Sequence, residues 1–174
     1  MFLRRERAGD EPAIAAVHAS AFPRPESGAG EPPEVGLVDE LRASDAWLPA
    51  LSVVVIADDR IVGHVVCTRA TIADRFAVLG LGPLGVVPDH QRIGVGSALM
   101  HAVVGAADAL DEPLIVLLGD PAFYRRFGFE PAARHGIEPM HDWPGDAFQV
   151  RILTSATGDE RGAFRYADAF DAVP

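Results

Sequence analysis

Six consecutive residues near the middle of the chain, Gln91-Arg92-Ile93-Gly94-Val95-Gly96, have the types and spacing to hold an anion. They follow the apolar run Leu84-Gly85-Val86-Val87 and precede a stretch with no further glycine until Gly105. The first N–H groups of any helix lack an intrahelical partner and point out of the end that carries the positive pole of the macrodipole. Glycine has no Cβ, so at Gly94 and Gly96 a phosphate can come close to the backbone. A strand, a loop and a helix N-terminus in this order make a phosphate site. Glycine spacing alone is equally satisfied by a plain strand–turn–helix with a tight turn.

Other reactive patterns fail. Gly80-Leu81-Gly82-Pro83-Leu84-Gly85 matches the dinucleotide spacing G-x-G-x-x-G, but that motif must open a helix at once. Here the chain continues as strand, so Gly82-Pro83 reads as a bulge or kink within it. The histidines at 18, 64, 90, 101, 135 and 141 show no metal-ligand spacing, and no metal is expected. There is no G-x-S-x-G elbow. All fifteen basic residues are Arg, which excludes a lysine nucleophile, a Schiff base and a P-loop lysine. Cys67, the single cysteine, lies in Val65-Val66-Cys67 and suits a buried apolar position better than a reactive thiol.

The loop must be positioned by its neighbours. Pro88 ends the preceding strand because it offers no N–H. The following helix runs to about Leu110, with Val95, Leu99, Ala102, Val103, Ala106 and Leu110 on one face, and Asp111-Glu112-Pro113 stops it. Upstream, Phe2 to Arg7 is a candidate first strand. Asp10 caps a first helix that carries Ile14, Val17, His18 and Ala21 on one face and ends near Phe22-Pro23. His18 reads as a packed histidine. Residues 23 to 33 are Pro- and Gly-rich and read as loop. A short second helix has Leu37, Val38 and Leu41 on one side. Leu51 to Ala57, Ile61 to Thr71 and Phe76 to Val87 form a meander turned at Asp58-Asp59 and Asp74-Arg75. Leu114 to Leu118 is wholly apolar, as a central strand is. A short helix from Ala122 to Phe127 ends at Gly128. Pro139 to Pro144 reads as irregular, and Phe148 to Leu153 as the last strand of the sheet. Residues 154 to 174 read as a tail whose aromatics, Phe164, Tyr166 and Phe170, pack on its own body or on a second subunit in a homodimer.

The 174 residues suggest one domain, 1–174, large enough to bury roughly 70% of its unfolded surface. No apolar run approaches the ~20 residues of a membrane span, so no membrane partner is expected. The first residues, MFLRRERAGDEP, lack an apolar signal core, and with one cysteine this predicts a reducing cytoplasmic setting. A net charge of −10 argues against nucleic acid, which needs clustered cations, and mildly favours a cationic acceptor.

The residues go beyond spacing. Leu84-Gly85-Val86-Val87-Pro88 followed by Gln91 to Gly96 and Ser97-Ala98-Leu99 resembles motif A of the GNAT superfamily of N-acetyltransferases, Q-x-x-G-x-G after a strand. About thirty residues on, Asp120-Pro121-Ala122-Phe123-Tyr124-Arg125-Arg126-Phe127-Gly128-Phe129 is similar to the family's F-Y-x-x-x-G-F segment. Two motifs in order are a specific signal, though they cover only the central fifty residues or so. The resemblance implies an α/β (α+β) acyltransferase fold. Its mixed, mostly antiparallel sheet has about six or seven strands, flanked by about four helices and splayed between the fourth and fifth strands.

It also implies acetyl-CoA, or a related acyl-CoA, as co-substrate. The pyrophosphate would sit on N–H groups from Ile93 through Gly94, Val95, Gly96 and Ser97 to Ala98, with Gln91 and Arg92 flanking. The pantetheine arm would lie along Leu84, Gly85 and Val86, and a Val86 or Val87 N–H would polarise the thioester carbonyl. Tyr124 occupies the family's usual acid position, where a phenol serves the departing thiolate; by its neighbours Phe123 and Phe127 alone it is a core aromatic. The region from first to second helix would cover the acceptor, a small-molecule or protein amine. Glu31, Glu34, Asp39 and Glu40 either meet a cationic amine there or form a solvated helix face. Members often place an acid on the strand leading to the loop, but Val78 to Val87 contains none; Asp39, Glu40 and His64 are guesses for the missing base. Two functions follow: an N-acetyltransferase acting on a primary amine by direct attack in a ternary complex, and an acyl-CoA-binding sensor or interaction module with little activity.

Overall fold

The computed structural model describes residues 1–22, 30–141, 143 and 145–172. The expected loop at 23–29, and with it the end of the first helix beyond Phe22, lies outside the described residues.

In chain order the elements are β1 (Phe2–Arg5), α1 (Glu11–Ala21), α2 (Pro33–Ala43), β2 (Ser52–Ala57), β3 (Arg60–Ile72), β4 (Phe76–Val86) and α3 (Val95–Ala109). There follow β5 (Leu114–Leu118), α4 (Pro121–Tyr124), β6 (Glu130–Pro131), β7 (Ile137–Glu138), β8 (Phe148–Ile152) and β9 (Gly162–Arg165). The sheet runs β1-β2-β3-β4-β5-β8-β6, with β9 added to β3 and β7 to β9. Neighbours are antiparallel except β4–β5 and β7–β9.

Period-two alternation divides the core between the two sheet faces. Val53, Val55, Val65, Cys67, Leu79, Leu81, Ile115 and Leu117 pack with Val95, Leu99, Met100 and Val103 of α3. On the other face Val54 packs with Ile14 of α1 and Val38 of α2. Further along that face Ala70, Ile72, Val78, Leu114 and Val116 meet Phe148, Phe164 and Tyr166. Met100 and Ala107 replace Leu110 on the buried stripe of α3, because the helix ends at Ala109 and Leu110 is 51% exposed.

Two readings need correction, and a third, left open between two packing partners, falls on one of them. Asp10 stands at the N-cap of α1, but its carboxylate caps nothing. It instead accepts from Arg4 at 2.5 and 2.9 Å and from the Arg7 N–H at 2.8 Å, which ties the helix entrance to β1. Phe148–Ile152 is not the last strand, because β9 follows it and pairs Thr71↔Arg165 and Ile72↔Phe164. The tail aromatics Phe164 and Tyr166 are buried in this chain's own core, 1% and 8% exposed. The Gly82-Pro83 kink lies where expected: β4 spends one residue more than β3 between Leu81↔Cys67 and Leu84↔Val65.

Candidate active site

The site is opened by a failure of pairing. β4 and β5 share only Leu79↔Ile115 and Gly80↔Val116. Beyond these the bulge at Gly82-Pro83 turns β4 away, while β5 stays paired with β8 through Leu118↔Phe148. A cleft of ≈ 1220 Å³ fills the gap, with Leu84 on one side and Leu118, Gly119, Phe123 and Tyr124 on the other.

The edge of β4 on this cleft can be identified by alternation. The Val87 N–H donates to the Val62 carbonyl at 3.0 Å, so it faces β3. The backbone groups of Gly85 face the same way, and those of Leu84 and Val86 face the open side. Of the two N–H groups considered for the thioester carbonyl, geometry leaves Val86. Gly85 offers no free edge; it is glycine because a Cβ there would come within 2.7 Å of the His18 ring. Gln91 is not free for side-chain contact with an anion: its amide donates to the Val86 carbonyl at 2.9 Å and holds the loop against the strand.

Arg92 and Gly94 take left-handed backbone conformations, φ +61° and +98°, which turn the chain sharply into α3. A Cβ on Gly94 would meet nothing within 4 Å, so an open cradle lies beside it. No side chain caps α3. The Ala98 N–H donates to the Gly94 carbonyl at 2.9 Å, whereas the N–H groups of Val95, Gly96 and Ser97 have no backbone acceptor among the described residues. The free donors stop short of Ala98: besides these three helical N–H groups, those of Ile93, 63% exposed, and Gly94 have no backbone acceptor among the described residues either. Phe123 of α4 packs over Gly96, 3.4 Å from where a Cβ would stand, and joins the second motif to the first.

Asp120 caps α4 by accepting from the Ala122 N–H at 2.8 Å. That short helix carries Tyr124 back over Gly119, where a Cβ would collide with the ring. Phe123 and Phe129 contact the Tyr124 ring edge-on at 4.9 and 5.9 Å. Burial, then the nearby Asp120 and Cys67, push the phenol up to about 12, so it keeps its proton throughout the neutral range. Burial likewise pushes the Cys67 thiol up, as an inert core thiol requires.

Of the acids considered for the acceptor, Glu34 lines the cleft. Glu31 and Glu40 are exposed and do not line it, and Asp39 pairs with Arg42 at 2.5 Å. His64 is wholly buried in a polar chain that the sequence did not reveal. Ser52 donates to the Glu6 carboxylate. Its oxygen can then only accept from His64 Nε2 at 2.9 Å, so His64 Nδ1 accepts from His18 Nε2 at 2.8 Å. Burial pushes Glu6 up, but the neighbouring His64, 3.7 Å away, and hydrogen bonds from Ser52 and Arg42 outweigh it and hold the carboxyl at about 2. Burial, then His64 and Arg42, hold His18 at about 3, so it is neutral. This chain packs α1 against the sheet and does not line the cleft.

The far wall comes from Met140, Trp143, Tyr166 and Phe170, residues the sequence left without a role. Tyr166 and Phe170 were signalled only as aromatics in a segment read as tail, while Met140 and Trp143 lie in the stretch read as irregular. Among the described residues no group of three or more His, Cys, Asp or Glu is placed to hold a metal, and no helix is long and apolar enough to cross a membrane.

Residues 49–131 match the model of the acetyltransferase (GNAT) domain. The chain is 31% identical to the uncharacterized N-acetyltransferase YhbS of Escherichia coli (strain K12), over 98% of this chain and 99% of that protein. The crystal structure of YhbS from Escherichia coli in complex with CoA superposes with a TM-score of 0.84 at 28% identity, covering 98% of this chain and 91% of that one. A GNAT family acetyltransferase from Brucella melitensis in complex with acetyl-CoA gives 0.79 at 30% identity, covering 98% and 97%. With the splayed β4–β5 pair, the uncapped α3 and this end-to-end similarity, the chain belongs to the GNAT family of N-acetyltransferases.

Proposed function

We propose that the protein transfers an acetyl group from acetyl-CoA to a primary amine by direct attack within a ternary complex. One observation carries this reading: Leu84 on the unpaired edge of β4 and Tyr124 line the same break in the sheet, and the start of α3 adjoins it, since a Cβ on Gly96 would stand 3.4 Å from Phe123 and 3.9 Å from Leu84. YhbS crystallised with CoA and the Brucella melitensis relative with acetyl-CoA support the choice of donor. The cradle fits that donor, since the N–H groups of Val95, Gly96 and Ser97 suit a pyrophosphate and the β4 edge suits an amide-rich arm. Acetyl-CoA supplies the acetyl group as a reactive thioester. The Val86 N–H donates to the carbonyl oxygen as it gains charge. The amine attacks as its free base after losing a proton to solvent, and the C–N bond forms as the C–S bond breaks. The CoA thiolate leaves with a hydrogen bond from Tyr124 and takes up the proton released by the new amide nitrogen. The apolar walls Leu84, Leu118 and Phe123 keep bulk water from the thioester.

The alternative, an acyl-CoA-binding module with little activity, is favoured by the absence of any acid between Val78 and Val87. Two measurements decide. Acetyl-CoA at a hundredfold excess over its Kd should stabilise the fold by about 2.7 kcal/mol, read as a rise in Tm. Thiol release from acetyl-CoA should then depend on an added amine. No melting shift at millimolar acetyl-CoA overturns the donor assignment. A shift without amine-dependent thiol release across primary amines of varied size and charge returns the binding-module reading.

A further inference from the structure

The acceptor half of the cleft has a chemistry of its own. Glu34 and Leu37 stand three residues apart on α2, so both face one way, and both line the cleft. Opposite them the C-terminal segment supplies an aromatic wall: Tyr166 and Phe170 stack at 4.4 Å and 28°, and Trp143 meets Tyr166 edge-on at 6.3 Å. Phe22 closes the side next to α1. The sheet is shaped to admit this wall. A Cβ on Gly80 would lie 2.6 Å from the Tyr166 ring, so glycine there lets the ring sit directly on β4.

The charge of this half is one-sided. Glu34, Asp120 and Asp171 line the cleft together with His141, and among the described residues no arginine does. Asp120 is engaged in capping α4 and Asp171 is exposed at the rim. Glu34 differs: its Oε2 is buried with no hydrogen-bond partner among the described residues. A buried carboxylate oxygen without a partner is costly, and an ammonium group would supply the missing donor. Aromatic faces attract the same cation and stack on a flat apolar body.

We infer that the acceptor is a primary amine on an aromatic body, carrying no anionic group, with its ammonium met by Glu34 and its ring by Tyr166, Trp143 and Phe170. This rests on the acetyltransferase reading above. An acceptor with its own carboxylate or phosphate would face three carboxylates and, among the described residues, no arginine. A short aliphatic amine would leave the aromatic wall bare.

The test compares 2-phenylethylamine with phenylalanine, which adds only a carboxylate, and with ethylamine, which lacks only the ring. Acetyl transfer is measured at saturating acetyl-CoA, and the Tm shift caused by each amine is measured in the presence of CoA. 2-Phenylethylamine should exceed both others at least tenfold in kcat/KM and give the largest shift. Glu34→Gln should raise KM for 2-phenylethylamine about tenfold while the Tm shift caused by acetyl-CoA stays as in the parent. Phe170→Ala should do the same, with melting curves to establish folding. Equal or better use of phenylalanine or ethylamine overturns the inference, as does a KM unmoved in Glu34→Gln. So does a shift with acetyl-CoA but none with 2-phenylethylamine. Loss of the acetyl-CoA shift itself would instead strike the donor assignment.

Discussion

Tyr124→Phe removes one oxygen and keeps the ring over Gly119 and against Phe123 and Phe129. No described residue hydrogen-bonds the hydroxyl, so stability should change by less than about 1 kcal/mol. The catalytic cost follows from acidity. The phenol is pushed up to about 12 by burial, whereas a free thiol sits near 8.5. A gap of roughly 3.5 units means that complete transfer of the proton to a thiolate is uphill by about 5 kcal/mol. The role proposed for Tyr124 is therefore a hydrogen bond to the departing sulfur, and a hydrogen bond to a charged group is worth about 1.5–3 kcal/mol. That converts to about 10- to 150-fold in rate, at or below the lower end of the 10²–10⁴ of a full general acid. Single-turnover acetyl transfer at saturating acetyl-CoA, parent against variant, measures it, with melting curves alongside. A donor with a more acidic leaving thiol should lose less, because its thiolate needs less help. Rates within about threefold of each other would refute the role and leave Tyr124 a core aromatic.

Gly96→Asp places bulk and negative charge among the free N–H groups of α3 and under Phe123; it should abolish the Tm rise caused by acetyl-CoA, and a folded variant that binds normally would refute the phosphate site. Gly80→Ala forces the Tyr166 ring to move by overlap at 2.6 Å. Overpacking of this kind costs typically 1–3 kcal/mol, to be read as a lower midpoint in urea, with the acceptor's KM rising because Tyr166 lines the cleft. Acid should destabilise the fold in two windows. His18 is depressed from 6.5 to about 3, so the unfolded chain binds its proton first and stability falls as pH drops from 6.5 towards 3. Glu6 is depressed from 4.5 to about 2, and its contribution is lost as pH falls through that range. Each group removes up to about 1.4 kcal/mol per pH unit inside its window; Tm measured from pH 7.5 to 4 should fall in the parent and fall less steeply below pH 6.5 in His18→Phe.

The sequence carried the main local features of this protein. Alternation and β-branched runs marked β2 to β5, and the Q-x-x-G-x-G turn marked where α3 begins, because these signals depend on neighbours within a few residues. F-Y-x-x-x-G-F located Tyr124 on its short helix for the same reason. Tertiary structure decided what depends on residues far apart. The dinucleotide-like glycines of β4 acquire a reason only when His18 and Tyr166, from opposite ends of the chain, are laid on Gly85 and Gly80. Which N–H faces the cleft depended on the register of β4 against β3, since a shift of one residue reverses every backbone group. The two-residue strands β6 and β7 carry too few residues for a pattern to appear. Asp39, Glu40 and Glu34 look alike on a helix in sequence, but Glu34 alone of the three lines the cleft. The tail's place was legible only as three aromatics in need of a partner. Folding supplied that partner as the far side of the same sheet, because burying Phe164 and Tyr166 there removes their apolar surface from water and closes the cleft beside β4.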